Sequence, residues 1–124
     1  MKHLKILVIT TFLFLSSFAY AQQDQTNSVT MEQFIEKMKT DKDLIVLDVR
    51  TPEEVTAGKI ENAINIPIQV LEERINELKP YKDKEIFVIC RTQNRSAAAV
   101  SILNDKGYKA KYVLGGMSVY NQKY

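Results

Sequence analysis

The chain has 124 residues, with 17 Lys+Arg against 15 Asp+Glu and 45% apolar side chains; Lys2 and Lys5 make up the whole basic excess, so residues 22–124 are formally neutral. A neutral body has no broad basic surface, which argues against nucleic acid and anionic membranes as partners, and the apolar content argues against disorder. A single cysteine excludes an internal disulfide framework and any multi-cysteine zinc site.

Residues 1–5 are basic, and residues 6–15 are apolar except for Thr10 and Thr11. Ala19-Tyr20-Ala21 then supplies a small-x-small cleavage pattern before the polar run 22–28. This is the layout of a secretory signal, and its apolar stretch falls short of the roughly 20 residues that span a bilayer. The sequence therefore predicts a signal peptide at 1–21, cleavage after Ala21, a polar linker at 22–28 and one folded domain at 29–124 in a periplasmic or secreted protein. An uncleaved anchor is the alternative. After cleavage no stable membrane association is expected.

Thr30 and Gln33 form a capping box for a helix whose Met31, Phe34, Ile35 and Met38 share one face. The apolar run 44–49 reads as a strand buried on both faces. Thr51, Pro52 and Glu54 start a short helix that Gly58 ends. A short strand at 63–66 stops at Pro67. Leu71, Ile75 and Leu78 mark an amphipathic helix ended by Pro80. Residues 85–90 are the most strand-like segment, 95–106 form an alanine-rich helix, and 111–114 form a last strand before Gly115-Gly116 and a short tail. Short apolar strands alternating with helices predict an α/β domain with a mostly parallel sheet, whose functional groups gather beyond the carboxyl ends of the strands. Asp48 and Cys90 both lie there.

Cys90 ends a buried strand, and a polar loop leads from it into a helix beginning near Arg95. Successive backbone N–H groups of such a turn, with the unpaired N–H groups of the new helix, form a positive nest. Arg91 and Arg95 add full charges. A sulfhydryl there is favoured as the thiolate, the nucleophilic form, and the nest stabilises any anion formed on it. The bland alternative is a small buried hydrophobe at a strand end, with the arginines merely paired to Glu53 or Glu54.

The segments 47–54, 58–60, 63–67, 88–96 and 114–117 together resemble the rhodanese (sulfurtransferase) family, in the expected order and over nearly all of residues 29–120. The resemblance implies a three-layer sandwich with a five-stranded parallel sheet between helices. It also implies a cysteine that carries sulfane sulfur as a persulfide, from a donor such as thiosulfate to cyanide or another thiophile. Phosphatases and arsenate reductases of this fold use Cys-x5-Arg; here Arg95 gives Cys-x4-Arg and Ser96 holds the next position. The shorter loop favours one extra sulfur atom over a tetrahedral oxyanion. Lys59 stands where the family often has histidine, Tyr120 where tryptophan is common, and Gln93 where glycine is frequent. Gln93 is expected to place an amide at the pocket mouth and to be strained if the backbone there needs positive φ.

On this reading Cys90 is the catalytic nucleophile, and Arg91, Thr92, Gln93, Asn94 and Arg95 form the substrate-binding loop. Arg91 attracts the anionic donor. Arg95 braces the loop, with Glu54 as its candidate partner, while Asp48 orients the loop or Arg50. No metal or organic cofactor is implied. The partners are a small anionic sulfur donor and a thiol, cyanide or protein acceptor. The rival readings are an exported thiol redox or persulfide carrier and a non-catalytic binding module of the same fold.

Overall fold

The computed structural model describes residues 27–124; the signal peptide expected at 1–21, and the expected linker up to residue 26, lie outside the described residues. The elements run β1 (Ser28–Val29), α1 (Met31–Thr40), β2 (Ile45–Asp48), α2 (Pro52–Ala57), β3 (Ile64–Asn65), α3 (Leu71–Arg74), β4 (Glu85–Ile89), α4 (Asn94–Asp105), β5 (Lys109–Val113) and α5 (Gly116–Lys123). Every strand pair is parallel, in the order β1-β5-β4-β2-β3. The chain thus has the α/β fold and the five-stranded parallel sheet expected for it.

Strand alternation sorts the core into two layers. Leu47, Val49, Ile86, Val88 and Cys90 point to one face, where Leu71, Leu78, Ala99, Val100 and Leu103 cover them. Val46, Phe87, Ile89 and Val113 point to the other, against Met31, Phe34 and Ile35 of α1 and Met117 of α5. Phe34 and Phe87 meet there with ring centroids 5.8 Å apart. Cys90 therefore sits on the face covered by α4, because it follows Ile86 and Val88 at a spacing of two.

Local signals held where partners lie within a turn. Thr30 and Gln33 close a capping box at α1, with bonds of 3.1 and 3.0 Å, and Thr51 and Glu54 close another at α2. Three expectations are corrected. Ser28 belongs to β1 and not to a tether, since it pairs with Tyr112 of β5. The helix expected from Leu71 to Pro80 has a single α-turn, flanked by 3₁₀ turns at Ile68–Val70 and Ile75–Tyr81. Pro80 has no N–H to give and disfavours α geometry before it, while 3₁₀ winding eclipses positions three apart, so Ile75 and Leu78 both reach the core. The expected tail is the helix α5, entered through Gly115 with no side-chain cap to announce it.

Candidate active site

β2 and β4 are neighbours at the centre of the sheet, so their carboxyl ends bring Asp48 and Cys90 to one edge. Cys90 is 1% exposed. The backbone N–H of Ser96 donates to Cys90 Sγ at 3.4 Å, and the Cys90 thiol donates to Ser96 Oγ at 3.4 Å. The sulfur is thus in a polar contact at the start of α4 although its flanks are apolar. Ser96 has no role in the sequence reading. Its signal is a small polar residue in the first turn of an alanine-rich helix next to the cysteine loop.

Among the described residues, no backbone acceptor engages the N–H groups of residues 91–95. The cause is α5. Its first turn turns outward to the loop: Met117 N–H donates to Cys90 O at 2.8 Å, and Ser118 donates to Arg91 O through both N–H and hydroxyl at 2.9 Å. In a trans peptide the carbonyl and the following N–H point opposite ways, and no peptide here is cis. Drawing those two carbonyls toward α5 therefore aims the N–H groups of Arg91 and Thr92 away from it. Gly116 makes this approach possible: its φ is +55°, and a Cβ there would collide with Cys90 O and Thr92 O.

Of the loop side chains, Arg91, Thr92, Gln93 and Asn94 are exposed. Arg91, Thr92 and Asn94 make no side-chain hydrogen bond among the described residues. The Gln93 amide oxygen accepts from Gly115 N–H at 3.2 Å. Gln93 φ is −157°, so no left-handed strain arises. A cleft of about 320 Å³ opens beside the loop, lined by Arg50, Glu54, Ala57, Arg91, Met117, Ser118 and Asn121. A wider one of about 900 Å³, with Glu32, Lys37 and Glu85 in its wall, does not include Cys90 or its loop.

The three supporting residues form one brace. Asp48 and Arg50 make a buried bidentate pair, with Arg50 Nη2 2.7 Å and Nε 3.0 Å from the carboxylate. Arg50 then donates to the carbonyl of Glu54 within α2 at 3.3 Å and to that of Gly58 at the end of α2 at 2.8 Å. Asn65 of β3, unassigned by the sequence reading, ties the carbonyls of Asp48 and Arg50 at 2.9 and 3.0 Å. From α2, Glu54 grips Arg95 through two bonds of 2.6 and 2.8 Å. α2 has no buried residue, so these polar contacts, not core packing, hold it to the loop.

The Arg95 bond pulls the Glu54 carboxyl down to about 2, with the Thr51 backbone N–H assisting against desolvation. Arg95 is raised in turn, chiefly by Glu54 and less by Cys90 and Asp48. A lowered carboxylate stabilises the fold above its ordinary value of 4.5, and that contribution is lost as pH falls from there toward 2. Glu54→Gln is accordingly expected to cost about 1 kcal/mol at pH 7, the upper end for a half-exposed pair with bidentate geometry. The gap from the parent should close on acidification over that window, as read by urea unfolding; a gap independent of pH would show that the pair contributes nothing.

The family model described as Rhodanese-like domain matches residues 30–123. "Thiosulfate sulfurtransferase PspE" of Escherichia coli (strain K12) is 35% identical over 71 residues, covering 57% of this chain and 68% of that protein. "Sulfurtransferase" of Allochromatium vinosum is 29% identical over 82 residues, covering 66% of this chain and 75% of the relative. The crystal structure of a rhodanese-related protein from Thermoplasma volcanium superposes with a TM-score of 0.71 at 40% identity, covering 79% of this chain and 94% of that one.

Proposed function

This chain belongs to the rhodanese-like domain family, and on that premise we propose that it is an exported sulfurtransferase that moves sulfane sulfur through a persulfide on Cys90. The donor is thiosulfate or a similar small anion. The Cys90 thiolate attacks the outer sulfur, a new S–S bond forms, and the old S–S bond breaks with its electron pair leaving on sulfite. The persulfide anion is held by the backbone N–H groups of residues 91–95. Cyanide or a thiol, on a small molecule or a protein, then takes the terminal sulfur and returns Cys90 to the thiolate.

The observation that carries this reading is the meeting of the sole thiol with an amide donor at its sulfur and a loop whose next five N–H groups lack backbone acceptors among the described residues. Arg91 is the loop's exposed cation beside the cleft, suited to drawing in an anionic donor. Arg95 favours sulfur over phosphate chemistry, because its guanidinium is engaged by Glu54 and does not close over an oxyanion. Export rests on the segment 1–21.

The test is the intact mass of the exported protein, before and after thiosulfate and then cyanide. The expected result is a chain beginning at Gln22 that gains one sulfur with thiosulfate and loses it to cyanide. No gain with thiosulfate would sink the proposed donor and intermediate; a chain beginning at Met1 would sink cleavage.

A further inference from the structure

Ser96 is fully buried, and its hydroxyl is shared between two neighbours. It accepts from the Cys90 thiol at 3.4 Å and donates to Gln93 O at 3.1 Å. A hydroxyl has one hydrogen to give. With Cys90 as a thiol, the chain S–H to Oγ–H to Gln93 O satisfies every donor. With a negative charge on Sγ, the S–H is gone, and the hydroxyl can rotate from a neutral carbonyl to a full charge, the stronger partner. Gln93 O is not orphaned by that rotation, because Ala97 N–H also donates to it at 2.9 Å. The fold thus provides a two-position hydroxyl at the reacting sulfur, beside the fixed N–H of the same residue.

We propose that Ser96 is a catalytic residue whose hydroxyl turns onto Cys90 Sγ as the persulfide is discharged, an assignment that rests on the sulfur-transfer reading above. In discharge to cyanide, the carbon lone pair bonds to the terminal sulfur. The S–S bond breaks, and its electron pair goes to Sγ. Persulfide anion and cyanide become Cys90 thiolate and thiocyanate, with no proton or oxidant needed. In the persulfide Sγ is neutral and the hydroxyl rests on Gln93; as the bond breaks, charge arrives on Sγ and the hydroxyl meets it. Loading runs the other way. There the same contact holds the thiolate in its ground state and must be released, so Ser96 speeds discharge and not attack.

The charged group that senses the sulfur is Arg95 of α4, itself held by Glu54 and influenced by Asp48, which pairs with Arg50; Arg91 follows Cys90 in the loop with its side chain exposed. The other side chains packed round it are apolar. All of these remain in Ser96→Ala, which extends the alanine run of α4 with a stronger helix former and keeps the backbone N–H. The variant therefore removes a single O–H.

The experiment compares parent and Ser96→Ala, both as the full chain, in single turnovers above the pH where each is fully thiolate. Discharge of the thiosulfate-loaded form by cyanide should slow by about 10- to 100-fold, the worth of one hydrogen bond to a charge. Loading should not slow. The ultraviolet thiolate absorbance of the sole cysteine should titrate about one unit higher or more. Discharge at the parent rate overturns the proposal, and so does an equal slowing of both steps with an unmoved thiolate titration. If the parent takes no sulfur from thiosulfate, the sulfur-transfer reading fails, while the titration still decides whether Ser96 contacts the charged sulfur.

Discussion

Cys90→Ser is expected to fold as the parent does and to take up no sulfur at all. The side chain is 1% exposed at the junction of β4 and α4, and serine replaces it with a slightly smaller atom on the same contacts, so packing changes little. Its oxygen can still accept from Ser96 N–H. What is lost is the polarisable nucleophile: an alcohol stays protonated at pH 7 and forms no S–S bond. Because Cys90 is the sole cysteine, no second thiol can substitute. Mass spectrometry after thiosulfate should show no added sulfur, and thiocyanate formation should fall by at least about a thousandfold. A sulfur adduct on the variant, or turnover near the parent level, would remove Cys90 from the mechanism.

Arg50→Ala should be the most destabilising change in the brace, by about 3–5 kcal/mol, the cost of leaving one partner of a buried ion pair alone. Asp48 is 1% exposed, and in the variant its carboxylate would keep only the Arg50 backbone N–H at 3.1 Å. The carbonyls of Glu54 and Gly58 lose their donor at the same time. With no buried residue of its own, α2 would then be tethered mainly by Glu54 to Arg95. Arg50→Lys should recover only part of the loss, since one ammonium cannot span a carboxylate and two carbonyls as the planar fork does. Urea unfolding at pH 7 measures both. A loss below about 1 kcal/mol for Arg50→Ala would show that the pair is not what anchors this end of the sheet.

The brace and the nest divide the labour. Asp48, Arg50, Glu54 and Arg95 form a continuous polar path from the end of β2, over α2, to the first turn of α4, and none of its hydrogen bonds reaches the sulfur. α5 acts from the opposite side on the loop carbonyls. The loop is thereby held at Arg95 by Glu54 and at Cys90 and Arg91 by α5, while the N–H groups of residues 91–95 have no backbone acceptor among the described residues. Preorganised donors of this kind cost no reorganisation when charge develops.

The amino-acid sequence by itself determined what depends on neighbours a few positions apart. Thr30 with Gln33 and Thr51 with Glu54 announce two helices, the apolar runs at 44–49 and 85–90 announce the central strands, and the spacing of Cys90 from Arg95 announces a short loop. Such signals act within one helical turn or along one pleated strand, so they survive without the rest of the fold. Only the tertiary structure decided what depends on pairing across the chain. Ser28 becomes a strand because β5 offers it a free edge. Ile75–Tyr81 becomes 3₁₀ because Ile75 and Leu78 must reach one core while Pro80 breaks the α ladder. Gly116 and Ser118 become parts of the cysteine loop's support, and Ser96 its sulfur's partner, through contacts made once β4, α4 and α5 are packed. A hydrogen bond has a range of about 3 Å, so residues far apart in sequence leave no local trace of it until the sheet brings them together.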